Sequence, residues 1–168
     1  QRQCPVGAGF VGPGGDLPGQ ARFVPFGGQH PAGQRELLPH PLRIIGAENL
    51  PLLKLDNRLL SQALANVLHN ATQHVPAGSE IETHAALVKE DTLEICVRDH
   101  GPGLPPEMEE RVFEKFARAP GAPAGGTGLR LAISRGLMRA MKGDISVRNH
   151  PEGGAEFRFS LPVKTRQP

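Results

Sequence analysis

The sequence contains no tryptophan and no tyrosine, and aromatic residues make up only 4% of it. A hydrophobic share of 38% is still enough for a core. An excess of one charge is also missing, because the formal net charge is +2. A dedicated nucleic-acid binder usually carries a concentrated basic stripe, so that class is disfavoured. Long apolar runs are absent too. No stretch reaches the roughly 18 apolar residues that a membrane-spanning helix needs, and no membrane contact is expected within this chain. No secretory leader is visible at the start, and the expected location is cytoplasmic, whether or not a longer parent is anchored in a membrane. Cysteine is scarce. Cys4 and Cys96 lie far apart, and Cys96, in an apolar strand pattern, reads as a small buried hydrophobe suited to a reducing compartment. The histidines show no metal-ligand spacing. His69 and His74 are five apart and read as lying on different faces of a helix, so no zinc site is expected.

What the chain has in quantity is glycine and proline, and these divide it. Residues 1–41 carry one or the other every two or three positions, as in "CPVGAGFVGPGGDLPGQARFVPFGGQHPAG". No helical or strand period survives there, and such a segment buries too little apolar surface to offset its ordering entropy. It is expected to be a disordered tail or linker. A regulatory or partner-binding arm is the alternative, and no motif supports it. Residues 42–163 read as one domain and 164–168 as a C-terminal tail.

Within the domain, "PLRII" and "LPLLKLD" are short apolar runs. Asp56 is a good N-cap for a helix over 57–74, with Leu59, Leu60, Ala63, Leu64, Val67, Leu68 and Ala71 as its buried stripe. Pro76 and Gly78 stop it. "IETHAALVKE" and "TLEICVRD" read as strands. A short helix is predicted around 107–116. A second long helix is predicted over about 128–141, packing through Leu129, Ala132, Ile133, Gly136, Leu137, Ala140 and Met141 and ended by Gly143. "DISVRN" and "AEFRFSLPV" close the chain as a hairpin through "HPEGG". Helices and strands interleave, but the last pair is a hairpin, so the class is α/β with a mixed sheet and helices on one face.

Three pieces could carry chemistry. Gln62, Asn66, Asn70, Gln73 and His74 form a polar stripe on the first helix, rich in amides rather than in the Lys and Glu of a plain surface. Amide oxygens are hard ligands that suit magnesium beside phosphates. A solvated helix face is the plainer reading. "DHGPG" follows a strand directly, with Asp99 at the strand end and Gly101 and Gly103 allowing close backbone approach to a flat ligand. Alone, it reads as a turn. "GGTGL" before a helix resembles a phosphate nest, where free N–H groups and the helix dipole favour an anion.

Taken together and in this order, the pieces resemble the ATP-binding domain of sensor histidine kinases, in the superfamily shared with gyrase, Hsp90 and MutL. "LSQALANVLHNATQHVPAGSEI" looks like that family's N box, "VRDHGPGLPPE" its G1 box, "VFEKFAR" its F box and "GGTGLRLAISRGLMRAMKGDI" its G2 box. The wording of "LPLLKLD" and "FEKF" is similar to the KdpD-type kinases. The resemblance implies a two-layer α/β sandwich that binds ATP and Mg2+. It implies that Asn70 holds magnesium and that Asp99 accepts a hydrogen bond from the adenine amino group. Gly101 and Gly103 would lie against base and ribose. Gly126, Thr127, Gly128 and Leu129 would flank the phosphates, and about 117–127 would form a mobile lid. Lys115 or Arg118 could neutralise phosphate charge. Asn66 stands at the catalytic position where gyrase-like hydrolases carry a water-activating glutamate. An amide is a poor general base, which fits a kinase whose nucleophile is a histidine elsewhere.

Three residues depart from the family pattern. Gln73 stands where a lysine is usual, His74 where an aromatic is usual, and Arg130 where the last glycine of Gly-Leu-Gly is usual. Arg130 either blocks the pocket or swings to the phosphates and replaces the charge absent at Gln73. Weakened but retained binding is the expectation. No helical dimerisation domain precedes residue 42, and His40, in "LLPHPLR", does not resemble a phosphoacceptor motif. The chain is expected to be a fragment or isolated catalytic domain, working with a histidine-bearing dimerisation or phosphotransfer domain and a response regulator, and not with nucleic acid. The alternatives are a degenerate docking module without kinase activity and an anti-sigma-type serine kinase on the same fold.

Overall fold

A computed structural model describes residues 40–47, 50–51, 53–89, 91–118 and 127–165. Nearly all of the expected tail over 1–41 lies outside these residues, as does Gly126. The elements in chain order are β1 (Leu42–Ile45), β2 (Leu53–Lys54), α1 (Asn57–His74), β3 (Ile81–Lys89), β4 (Thr92–Arg98), α2 (Met108–Arg111), α3 (Arg130–Ala140), β5 (Asp144–Asn149), β6 (Ala155–Pro162) and β7 (Lys164–Thr165).

Strand alternation builds the sheet. Five strands lie in the order β1-β3-β4-β6-β5, with β1 parallel to β3 and the other neighbours antiparallel. One face carries cross-strand rows such as Ala85, Ile95, Phe159 and Ile145, which join the core. The opposite face carries a row of alternating charge across all five strands: Arg43, Glu82, Arg98, Glu156 and Arg148. Opposite charges on facing strands avoid the cost of like-charge neighbours. Glu156, only 4% exposed, is held by Arg148 at 2.8 Å and by Arg158 at 3.3 Å. The two-stranded β2–β7 pair is antiparallel, and it draws Lys164 and Thr165 into the fold, two residues past the boundary read at 163.

The first helix forms as its pattern dictates. Asp56 Oδ1 accepts from the backbone N–H of Arg58 at 3.0 Å and of Leu59 at 3.1 Å, capping α1. Leu60, Ala63, Leu64, Val67, Leu68 and Ala71 are buried, while Leu59 is only half-buried. The reading of the other helices needs correction. The short helix is α2 alone, four residues long, and the chain then turns to Phe116, whose φ of 65° cannot continue a helix. On α3 the buried residues are Leu131, Ser134 and Met138, whereas Ile133 is 49% exposed and Gly136 and Ala140 are also exposed. The apolar pattern misled because the seam with α1 is built around a polar residue. Ser134 Oγ donates to Ala63 O or Arg130 O, each at 3.1 Å, and its small volume lets the helices approach. The end of α3 also differs from expectation. The left-handed residue is Lys142, at φ 61°, not Gly143. Gly143 matters for space, because a Cβ there would come within 2.5 Å of Ser160 O.

Ser134→Leu should therefore cost about 1–3 kcal/mol by overpacking the α1–α3 seam, and Ser134→Ala about 1 kcal/mol for the lost hydrogen bond. Urea unfolding of both variants checks this. A Ser134→Leu protein as stable as the parent would mean that the seam is not closely packed.

Candidate functional site

The polar stripe of α1, the end of β4 and the start of α3 enclose a cavity of about 440 Å³. That lies within the range of small-molecule sites. Leu104, Met108, Val112, Leu131 and Phe157 give it apolar walls, and Asn70, Gln73, Asp99, Arg118, Thr127 and Arg130 give it polar groups. With Gly103 and Gly128, which also line it, the structure brings most of the expected residues together.

Asp99 is the buried acid of the site, 5% exposed. Its Oδ1 accepts from Gly101 N at 2.9 Å and from Ala155 N at 3.1 Å. Its own N–H donates to Ala155 O at 3.0 Å. The described residues offer its second oxygen no donor, and the residue lines the cavity, so that oxygen is available to a ligand. Close packing enforces this geometry. Gly154 has φ 86°, and a Cβ on it would collide with Asp99 O. Gly101 does not line the cavity. It supports Asp99 from behind, where a Cβ would meet His74 O at 2.9 Å.

At the other end of the cavity stands Arg130. Its backbone oxygen accepts from Asn66 Nδ2 at 3.3 Å and is one of the two acceptors, each at 3.1 Å, open to Ser134 Oγ. Its guanidinium makes no hydrogen bond or ion pair among the described residues, and it lines the cavity. His69 lies beside it: burial, and then the Arg130 charge, hold the His69 imidazole below its ordinary pKa. His74, near Asp99, and His69, near Arg130, are five residues apart on α1, or roughly 7.5 Å along the axis. The cavity thus runs along α1 from a carboxylate to a guanidinium.

Several expected positions move. Asn66 does not line the cavity. It shares the angular sector of Asn70 but lies one turn earlier, where the start of α3 covers it, and its Oδ1 accepts from Gln62 Nε2 at 3.2 Å. Lys115 is exposed, lies before the left-handed turn at Phe116 and does not line the cavity, whereas Ala117 and Arg118 just after that turn do. Leu129 is the half-buried N-cap of α3 and stands behind Gly128 and Arg130. Gly128, at φ 66°, serves closure as well as access: its carbonyl accepts from Phe116 N at 3.0 Å, and a Cβ on it would meet Ala117 O at 2.7 Å. Most of the expected lid, with Gly126, lies outside the described residues. His69 joins the site without a motif to mark it, and His69 and His74 line one cavity although their five-residue spacing suggests different faces. Residues 69, 70, 73 and 74 span an arc of about 140° at 100° per residue, and a broad cavity accepts all of it. His40 is buried, its Nδ1 lying 3.2 Å from Ser79 O.

A mixed sheet backed by paired helices, with such a cavity between α1 and the G-rich turns, defines an α/β sandwich of nucleotide-binding type. The chain belongs to the family of histidine kinase-, DNA gyrase B- and HSP90-like ATPases, whose profile matches residues 55–165. It is 41% identical over 129 residues to the sensor protein KdpD of Escherichia coli K12, a match covering 76% of this chain and 14% of that protein. It is 33% identical over 144 residues to the alginate biosynthesis sensor protein KinB of Pseudomonas aeruginosa, covering 86% of this chain and 22% of that protein. The chain thus spans well under a third of these relatives. Among solved structures it resembles the mycobacterial sensor histidine kinase MprB, with a TM-score of 0.67, 25% identity, and 76% of this chain and 86% of that one covered. It also resembles full-length ShkA in complex with AMPPNP, with a TM-score of 0.61, 30% identity, and 77% of this chain and 26% of that one covered.

The two glycines of the hairpin turn separate backbone strain from contact. Gly153→Ala, at φ 95° with open space around it, should cost about 1–2 kcal/mol for the left-handed conformation alone. Gly154→Ala should cost more, because its Cβ also displaces Asp99 O. Chemical unfolding of the pair checks the difference. Equal losses would show that Asp99 does not depend on this contact.

Proposed function

We propose that the chain is the ATP-binding catalytic domain of a two-component sensor histidine kinase, delivering the γ-phosphoryl group to a histidine on a separate helical domain. One observation carries the reading: the cavity presents a buried carboxylate acceptor at one end and an arginine at the other, along a single helix. The free oxygen of Asp99 accepts a hydrogen bond from the adenine amino group. Guanine places a carbonyl oxygen there and would be repelled. Leu104, Met108, Val112 and Phe157 receive the base by apolar contact. Gln73, Arg118, Thr127 and Arg130 face the phosphates.

The donors available fit magnesium carried in on the nucleotide. Among the described residues no three His, Cys, Asp or Glu side chains form a metal cluster. Asn70 would supply one hard oxygen, with phosphates and waters supplying the rest. Magnesium would neutralise phosphate charge there. Phosphoryl transfer depends mainly on positioning and charge neutralisation, which this chain's arginines and turns provide. Asn66 is committed to Arg130 O and Gln62, and an amide is a poor base, so this position supplies no water-activating group. Arg130 supplies the cation absent at Gln73. The histidine-bearing domain and the response regulator are the partners this activity requires.

Calorimetry on the full chain with Mg–ATP and Mg–ADP tests the pocket. The parent should bind. Asp99→Ala should weaken binding at least about tenfold, the scale of one charge-assisted hydrogen bond, and Arg130→Gly should weaken it by a similar factor. A silent parent rescued by Arg130→Gly would make the arginine a plug and favour a docking module. Incubation with γ-labelled ATP and a histidine-bearing partner domain should give an acid-labile product. An acid-stable product on a serine-bearing partner would move the assignment to a serine kinase.

A further inference from the structure

We propose that Asn149 is a positioning residue that holds the loop between β4 and α2 against the nucleotide cavity. The inference rests on the ATP-site reading above. Asn149 is the last residue of β5, on the hairpin rather than on any of the glycine-rich turns. Its Oδ1 accepts from Leu104 N at 2.7 Å, and its Nδ2 donates to Leu104 O at 2.8 Å. One amide thus satisfies both backbone groups of a single residue, as a neighbouring strand would. Leu104 lines the cavity, and its loop has no other regular pairing among the described residues.

Two further observations make this a built contact. Gly103 has φ 77°, and a Cβ on it would come within 2.5 Å of Asn149 Oδ1, so the second glycine of "DHGPG" is what lets the amide reach the loop. The backbone N–H of Asn149 donates to Glu109 Oε1 at 3.0 Å, which ties the same residue to α2, and Met108 of α2 lines the cavity. Asn149 therefore joins hairpin, loop and short helix at one point. It faces Ala155 across the β5–β6 ladder, and Ala155 N donates to Asp99 Oδ1. The hairpin thus sets the acid through one strand and the apolar wall through the other. The side chain is exposed, and exposed hydrogen bonds contribute little to global stability. Its loss should loosen the loop and leave the fold standing.

The test uses the full chain as parent, Asn149→Ala, Asn149→Asp and Gly103→Ala, with three readouts: ADP affinity by calorimetry, hydrogen exchange at the Leu104 amide, and the thermal midpoint. Asn149→Ala should speed exchange at Leu104 at least about tenfold and weaken ADP binding about three- to tenfold, with the midpoint within a few degrees of the parent, as expected for one or two exposed hydrogen bonds. Asn149→Asp keeps an acceptor for Leu104 N, so it should preserve more of the exchange protection than Asn149→Ala. Gly103→Ala should speed Leu104 exchange from the other side of the contact, with an added loss of stability from its left-handed backbone. Unchanged Leu104 exchange in Asn149→Ala would overturn the proposal, as would faster exchange with unchanged ADP affinity. If the parent binds no nucleotide while Leu104 exchange responds as stated, the ATP-site reading fails and the hold on the loop stands.

Discussion

The Asp99 carboxylate is the joint on which the cavity depends. It sits where β4 ends, and one of its oxygens takes the N–H groups of both Gly101 and Ala155. That single oxygen fixes the loop leaving the strand and the hairpin strand beside it. Its burial, at 5% exposure, is tolerable because those donors replace water around the carboxyl oxygen. Gly154 and Gly101 then bring backbone close enough on either side for the arrangement to exist. The other oxygen is left to a ligand.

A second junction sets the opposite end. Arg130 O accepts from Asn66 of α1, and the Ser134 hydroxyl lies within reach of both that carbonyl and Ala63 O. These contacts fix the first turn of α3, and with it the origin of the Arg130 side chain. The same bonds consume Asn66. The Asn66 amide thus serves the α1–α3 seam rather than the cavity. His69 records the local field: burial and the Arg130 charge both disfavour its protonated form.

The sheet carries the rest. Its inner rows of aliphatic residues and phenylalanine form the core, in keeping with a chain without tryptophan or tyrosine. Its outer face is an alternating ionic row rather than a second apolar surface, so one layer of helices suffices. Glu156 shows how closely that row packs, since a carboxylate flanked by arginines is almost fully buried.

Local chemistry along the chain is enough for part of this architecture. Asp56 and the apolar stripe after it set α1, alternation set β4 through β6, and the order of the Asn-rich helix, "DHGPG" and "GTGL" set the family. Tertiary structure decided what each residue faces. Asn66 and Asn70 look alike in the sequence, yet one is covered by α3 and the other opens on the cavity, because they lie one helical turn apart. Ser134 reads as surface and is fully buried, because a hydroxyl can bond to a neighbouring helix's carbonyl. His69 and Asn149 carry no local signal at all. Their roles arise only when α3 meets α1 and the hairpin meets the loop, since pairing between segments far apart in the chain leaves no period in either of them.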